Sequence, residues 1–206
     1  MDLSDKQIQI LEIAEKLFAE HGFDATSVRQ IAKEADINIA MISYYFGSKE
    51  KLLETLLEYR NFDFRKEIAQ IIEDTNLDHL HKIDTMIALL TQRIHSKRRI
   101  HKILHFEYSN GCRNINIDKH IQRKLKSYTL IEKFIKEGQS IGVFSKNVEI
   151  PLIVPTIIGS YFNFYYNKKM FMIIYHLKEE DIDDFVYNTL TNHIQKTIKA
   201  LLTYEN

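Results

Sequence analysis

Uncharged hydrogen-bonding side chains are concentrated in one short stretch near the N-terminus. Residues 38–46 contain an asparagine and two tyrosines but no charged side chain, and Arg29 precedes them. Amide, hydroxyl and guanidinium groups donate hydrogen bonds to phosphate oxygens, and an amide can also read the edge of a base. The chemistry of this stretch therefore suits contact with a nucleic acid.

Groups that would support catalysis or metal binding are not clustered in the sequence. There is no P-loop, no GxSxG and no HExxH pattern. His101 and His105 have a spacing compatible with a metal, but pocket or surface histidines are the simpler interpretation. Cys112 is the single cysteine, so an intrachain disulfide is excluded. Its neighbour Arg113 leaves open a redox-sensing thiol or an inert one. We expect no enzyme, no cofactor and no metal.

The scarcity of turn residues indicates the fold class. The 206 residues include 6 glycines and 2 prolines, too few for the closely spaced turns of a β-sandwich or barrel. Apolar residues make up 45% and charged residues 27%, an ordinary globular composition. We therefore expect an all-α protein of about nine helices.

Hydrophobic spacing and capping residues predict where these helices lie. We expect nine helices, over 4–21, 27–35, 38–46, 48–73, 77–95, 98–109, 118–140, 151–167 and 180–203. At 1.5 Å per residue, the helix over 48–73 would span roughly 39 Å, enough to join two domains. We accordingly expect a DNA-binding domain over 1–47 and a second helical domain over 48–206.

One helix is uncharged over its whole length. Residues 150–167 cover 18 positions without a charged side chain, which is long enough for a membrane span. Two prolines, two asparagines and Thr156 within it argue against that interpretation. A helix that is apolar all round must be covered, so we expect it in a subunit interface, with no membrane partner.

The two helices over 27–35 and 38–45 have the spacing of a helix-turn-helix. In this motif the first helix braces the DNA backbone and the second enters the major groove. Spacing alone leaves an alternative open, namely a helical interaction module that uses the hairpin for protein contacts.

The stretch from Ile10 to Leu57 resembles the N-terminal domain of the tetracycline-repressor (TetR) family of bacterial regulators. The matching run is AEKLFAEHGFDATSVRQIAKEADINIAMISYYFGSKEKLLETLL, about a quarter of the chain with its flanks. The resemblance implies a cytoplasmic homodimer that represses transcription from a pseudopalindromic operator and is released by a small molecule. We expect it to dimerise through the helices near 150–167 and 180–203.

The resemblance also assigns positions that contact DNA. They lie on helix 2, on helix 3 and at the start of helix 4: Thr26, Ser27, Arg29, Asn38, Ile39, Ala40, Met41, Tyr44, Tyr45 and Lys49. Because helix 3 has no charge, base readout would come from an amide and from apolar contacts with thymine methyls. We therefore predict A·T pairs beneath it. The chain departs from the family pattern at Asp36, where a glycine is usual.

Candidates for an effector site follow only from helix position, and packing in the core is the simpler interpretation of each: Phe62, Met86, Leu90, His105, Tyr108, Phe134 and Tyr161. Residues 95–126 carry nine Lys and Arg against two acidic residues. This basic run indicates a solvated face or a site for an anionic ligand such as an acyl-CoA-like molecule.

The charge balance limits how DNA could be bound. The net charge is zero, and residues 1–51 hold six basic and nine acidic side chains. A strongly positive footprint is therefore excluded. We expect affinity to depend on helix ends, tyrosines and a few cations, with modest non-specific binding.

Overall fold

The computed structural model describes residues 3–60, 64–111 and 116–204, with the backbone alone at 117, 119, 120 and 123. These residues form helices and no β-strand, which confirms the all-α prediction. The first helices are α1 (Asp5–His21), α2 (Val28–Glu34), α3 (Ile39–Phe46), α4 (Lys49–Arg60), α5 (Phe64–Glu73) and α6 (His79–Ser96). The next are α7 (Arg98–Ser109), α8 (Ile117–Ser140), α9 (Ile150–Tyr166) and α10 (Lys168–Ile174). A 3₁₀ turn (Glu179–Asp181), α11 (Ile182–Asp184), a π turn (Phe185–Leu190) and α12 (Thr191–Thr203) complete the described chain.

Capping residues set the ends of the first three helices. Ser4 accepts a hydrogen bond from the Gln7 backbone N–H, and the Gln7 side chain accepts one from the Ser4 N–H, which is a capping box. Ser27 and Asn38 cap the N-termini of α2 and α3, where the side-chain oxygen of each accepts one backbone N–H. Gly22, with φ of 85°, ends α1.

Contacts divide the chain into two compact units. The first combines α1–α4 with α7 and the start of α8. Its core surrounds α1 and includes Leu52 and Leu56 of α4 and Ile100 and Ile103 of α7. This division differs from the boundary expected at residue 47, because the apolar faces of α4 and α7 are buried against the same core as α1.

The second unit contains α5, α6, the remainder of α8 and α9–α12. One of its clusters is built around Ile68, Phe134 and Ile198, and another around Tyr161 and Val186. Leu90 packs against both clusters. The second unit therefore has a continuous apolar interior contributed mainly by isoleucines and aromatic residues.

The helix expected over 48–73 is described as α4 and α5, with residues 61–63 outside the described part. Two other details were not predicted. Lys168–Ile174 forms α10, whose apolar residues lack the spacing of an amphipathic helix. The helix expected over 180–203 contains the π turn, where the Thr191 hydroxyl donates to the carbonyl of Val186 (2.7 Å). Among the described helices, none combines the length and hydropathy needed to cross a membrane.

Candidate nucleic-acid interface

The turn between α2 and α3 has a defined backbone geometry. Asp36 adopts the left-handed conformation, with φ of 50°. The Ile37 N–H donates to the carbonyl of Ala32 (3.1 Å) and the Asp36 N–H donates to that of Lys33 (3.3 Å). This pattern is a Schellman motif. It fixes the direction in which α3 leaves α2, and Asp36 takes the place that the family pattern gives to glycine.

Helix α3 has one buried and one exposed face. Ile42 and Phe46 are buried in the first unit. The opposite face exposes Ile39 (46%) and Tyr44 (83%), together with two smaller residues, Ala40 and Ser43. Since this face has no charge, it can offer DNA a hydroxyl donor and apolar contacts. Met41 and Tyr45, both half-buried, border it.

Ser43 lies on the exposed face of α3 but was not among the predicted DNA contacts. Its position one turn after Ile39 and Ala40 was the available signal, since residues three and four apart share one side of a helix.

Asn38 uses its side-chain oxygen inside the protein. Its Oδ1 accepts a hydrogen bond from the Ala40 N–H (2.9 Å). A bidentate contact with adenine needs the amide oxygen and nitrogen together, and here the oxygen caps the helix. The amide N–H₂ remains able to donate to a phosphate or to a base acceptor. The predicted A·T preference would therefore depend mainly on the apolar side chains of α3.

Thr26 lies in the core. It is fully buried, and its Oγ1 lies 2.8 Å from the Gly22 carbonyl and 3.2 Å from that of Leu17. A hydroxyl in this position cannot reach a phosphate while the unit is folded. The placement does not fit the prediction that Thr26 contacts DNA and indicates that its side chain holds the α1–α2 loop instead.

Lys49 also binds that loop. Its Nζ donates to the carbonyls of Phe23 (2.9 Å) and Thr26 (3.0 Å) and lies 4.2 Å from the centre of the Phe23 ring. Two of its three N–H donors are therefore directed at carbonyls just before the start of α2. This geometry supports a positioning role, and a phosphate contact from Lys49 remains a prediction.

The start of α4 borders the same region. Hydrogen bonds from its own backbone N–H and from the Ser48 hydroxyl hold the pKa of Glu50 below its ordinary value. Nearby, Ser27 and Arg29 are exposed at the beginning of α2. Ser27 accepts the Gln30 N–H (3.1 Å), which leaves its hydroxyl hydrogen able to donate to a phosphate.

The predicted effector residues are distributed between the two units. Met86 and Phe134 share one cluster of the second unit, and Tyr161 belongs to the other. His105 and Tyr108 lie on α7 in the first unit, and Phe62 lies outside the described residues. Surface residues of α8 line a depression of about 480 Å³, and none of the predicted set is among them.

Tyr161 has a polar partner that the sequence did not reveal. Its hydroxyl lies 2.9 Å from Nδ1 of buried His95, and Nε2 of this histidine lies 2.8 Å from Asp183. His95 and Tyr161 are separated by 66 positions in the sequence, so no local pattern could have predicted this contact. The network places an imidazole and a phenol hydroxyl within a mainly apolar interior.

The basic run is only partly described. Lys97 donates to the Arg60 carbonyl (3.1 Å), and Lys102 lies over the Phe106 ring (5.7 Å). Cys112 and Arg113 fall outside the described residues. Among the described residues, no three metal-ligating side chains lie close enough together to hold a metal ion.

Helix α9 exposes an uncharged stripe. Its members recur every three or four residues: Leu152, Pro155, Thr156, Gly159, Asn163 and Tyr166. Leu152 is 60% exposed and Tyr166 is 49% exposed. Small residues in the middle of the stripe would permit a close approach by another helix.

Two short capped helices joined by a Schellman turn, the second with an exposed outer face, define a helix-turn-helix protein. The family described as "Bacterial regulatory proteins, tetR family" matches residues 10–56. The chain is 33% identical over 138 residues to the probable HTH-type transcriptional regulator YttP of Bacillus subtilis (strain 168). That match covers 66% of this chain and 62% of YttP, which is less than two thirds of the relative.

Solved structures share the fold over the whole chain. The fatty acid degradation regulator FadR from Bacillus halodurans has a TM-score of 0.72 at 19% identity, covering 100% of both chains. FadR from Bacillus subtilis in complex with stearoyl-CoA has a TM-score of 0.65 at 19% identity, covering 96% of this chain and 99% of that one. Residues 10–56 therefore match the DNA-binding domain of the TetR family, and the chain as a whole shares its fold with these solved regulators.

Proposed function

We propose that this chain is a transcriptional repressor that binds duplex DNA through α3 and is released by a small molecule bound in the second unit. The observation that carries the proposal is the exposed, uncharged face of α3, held by a Schellman turn in a domain that matches the TetR family. Such a repressor works where the chromosome lies, so we propose a cytoplasmic location.

The test is an electrophoretic shift with the gene's own upstream DNA at about 50 and 200 mM salt, because phosphate contacts make affinity fall as salt rises. We expect a retarded complex that weakens at the higher salt. The alternative, a protein-interaction module, requires that no salt-dependent DNA affinity is found. Footprinting on the same DNA should place A·T pairs beneath α3.

The repressor is proposed to act as a homodimer through α9 and α12. The uncharged stripe of α9 supports this, because its exposed face carries no charge and includes Leu152 and Tyr166, which favours a covered surface. Two copies of α3 would then reach half-sites about 34–36 Å apart. The molar mass from light scattering should show that Thr156→Arg converts the dimer to a monomer. Gln70→Arg, at an exposed position of α5, should leave the dimer intact.

Effector binding is proposed to shift α4 and thereby the separation of the two α3 helices, which weakens both half-sites together. The basic run and the stearoyl-CoA in the related fold make long-chain acyl-CoA the first ligand class to test. Adding stearoyl-CoA to the operator complex should release the DNA, and free coenzyme A is the matched control. If neither compound nor any other anion alters binding, an anionic effector is excluded.

A further inference from the structure

A buried carboxylate in α1 holds the last residue of α4. Glu15 is 5% exposed, and its Oε2 accepts hydrogen bonds from Nε (2.7 Å) and Nη2 (2.6 Å) of Arg60. Glu12 lies farther from the same guanidinium, at 3.7 Å, and is more exposed. A carboxylate removed from water requires a partner of this quality, so the end of α4 is tied to α1 at one defined position.

The same arginine is linked to the start of α7. The last carbonyls of a helix have no hydrogen-bond partner inside the helix. The carbonyl of Arg60, the last residue of α4, accepts a hydrogen bond from the Lys97 ammonium (3.1 Å). Lys97 directly precedes α7. Glu15, Arg60 and Lys97 together therefore connect α1, α4 and α7 inside the first unit, and we refer to these three residues as the latch.

The latch lies beside two of the three places where the chain changes unit. The chain enters the second unit after residue 63, returns at Lys97 and leaves again after residue 123. Arg60 is three residues before the first crossing, and Lys97 is at the second. The latch thus fixes the chain beside two of the three connections between the units.

Replacing a whole buried ion pair with apolar residues is often neutral for stability, whereas removing one partner leaves an uncompensated buried charge. We therefore treat the Glu15–Arg60 pair as an element that fixes position rather than as a source of net stability. Helix α1, which carries Glu15, also carries Lys16, and Lys16 forms an exposed ion pair with Glu34 of α2 (3.5 Å). The side chains of this second pair are 46% and 40% exposed. Exposed pairs of that kind fix little, which makes Lys16 a suitable control.

We infer that the latch is a positioning element through which DNA binding at α3 and the state of the second unit influence each other. The inference rests on the proposed function. Linkage is reciprocal: if a ligand in the second unit changes DNA affinity, DNA must change the second unit to the same degree. The coupling can therefore be measured without knowing the effector.

The test is hydrogen exchange on the full chain, with and without duplex DNA from its own upstream region. In the wild type, DNA should slow exchange in α2 and α3 and also in the last turn of α6, there by about fivefold or more, the lower end of usual coupling. Lys97→Met keeps the buried pair but removes the ammonium. In Lys97→Met, DNA should still slow hydrogen exchange in α2 and α3 but should no longer slow it in the last turn of α6. A folded Glu15→Gln protein should show the same pattern. Lys16→Met should behave like the wild type.

Two results would overturn the inference. One is a Lys97→Met protein in which α6 responds as in the wild type. The other is a wild-type protein in which DNA protects α2 and α3 but leaves α6 unchanged. If no upstream duplex protects α2 and α3, the proposed function itself fails and the latch falls with it, which is a distinguishable outcome.

Discussion

Replacing Lys49 with methionine tests whether this residue positions the DNA-binding surface or contacts phosphate. Methionine keeps much of the apolar stem but removes two charge-assisted hydrogen bonds, to the carbonyls of Phe23 and Thr26. Each such bond contributes about 1.5–3 kcal/mol when buried. Because Lys49 is half-exposed and the carbonyls can regain water, we expect a loss of about 2 kcal/mol in the free energy of unfolding.

Two assays on Lys49→Met separate the roles. Urea denaturation followed by circular dichroism should show the lower stability. Anisotropy titrations of labelled operator at several salt concentrations should show weaker binding, because the start of α2 is less well held, but an unchanged salt dependence. A phosphate contact predicts the opposite pattern: stability unchanged and a salt slope smaller by about 1.

Lys51→Met is the matched control, since Lys51 is exposed two residues further along α4. It should leave the free energy of unfolding within about 0.5 kcal/mol of the wild type. The positioning role of Lys49 is refuted if Lys49→Met is as stable as Lys51→Met and loses about one unit of salt slope.

Three further substitutions have defined outcomes. Thr26→Val removes a buried hydroxyl that bonds the α1–α2 loop and should cost about 1–2 kcal/mol in urea denaturation; normal stability with weakened DNA binding would instead support a direct contact. Asp36→Gly relieves a left-handed conformation with φ of 50° and should raise stability by up to about 1 kcal/mol, so a lower urea midpoint would contradict the turn geometry. Glu50→Gln removes a carboxylate whose folded-state pKa is lowered by hydrogen bonds to its backbone N–H and Ser48. Such a group stabilises the folded state above its unfolded pKa, and this contribution is lost as pH falls through the folded pKa. The variant should therefore be less stable at neutral pH, by under about 0.5 kcal/mol because the group is exposed. The difference should begin to shrink below pH 4.5 and disappear as pH falls through the lower folded-state pKa; a difference that persists at still lower pH would show another cause.

The parts of the fold that depend on neighbouring residues were predictable. Ser4, Ser27 and Asn38 cap the N-termini of helices through hydrogen bonds to residues two or three positions away. Their types and spacing were therefore sufficient to predict where these helices begin. The helix-turn-helix was predictable for the same reason. The glycine-like role of Asp36 follows from its place after α2, where an αL residue is usual.

The parts that depend on distant residues were not predictable. The sequence predicts Lys49 as a phosphate contact, but it could not predict that the Lys49 ammonium binds two carbonyls that lie 26 and 23 residues away in the chain. The packing of α7 with α1 joins residues about ninety positions apart, and the π turn contacts α6, which lies far from it in the sequence. The site was thus foreseen as a surface, while the groups that hold it in place were not.

The central claim, that α3 meets DNA through its exposed face, is tested most directly by Ala40→Glu. Ala40 is exposed in the middle of that face, so glutamate should be compatible with the fold while placing a negative charge against the groove. Gln92→Glu, exposed on α6, adds the same charge elsewhere. In anisotropy titrations with upstream DNA, Ala40→Glu should abolish binding and Gln92→Glu should preserve it; equal binding by both variants would contradict the account.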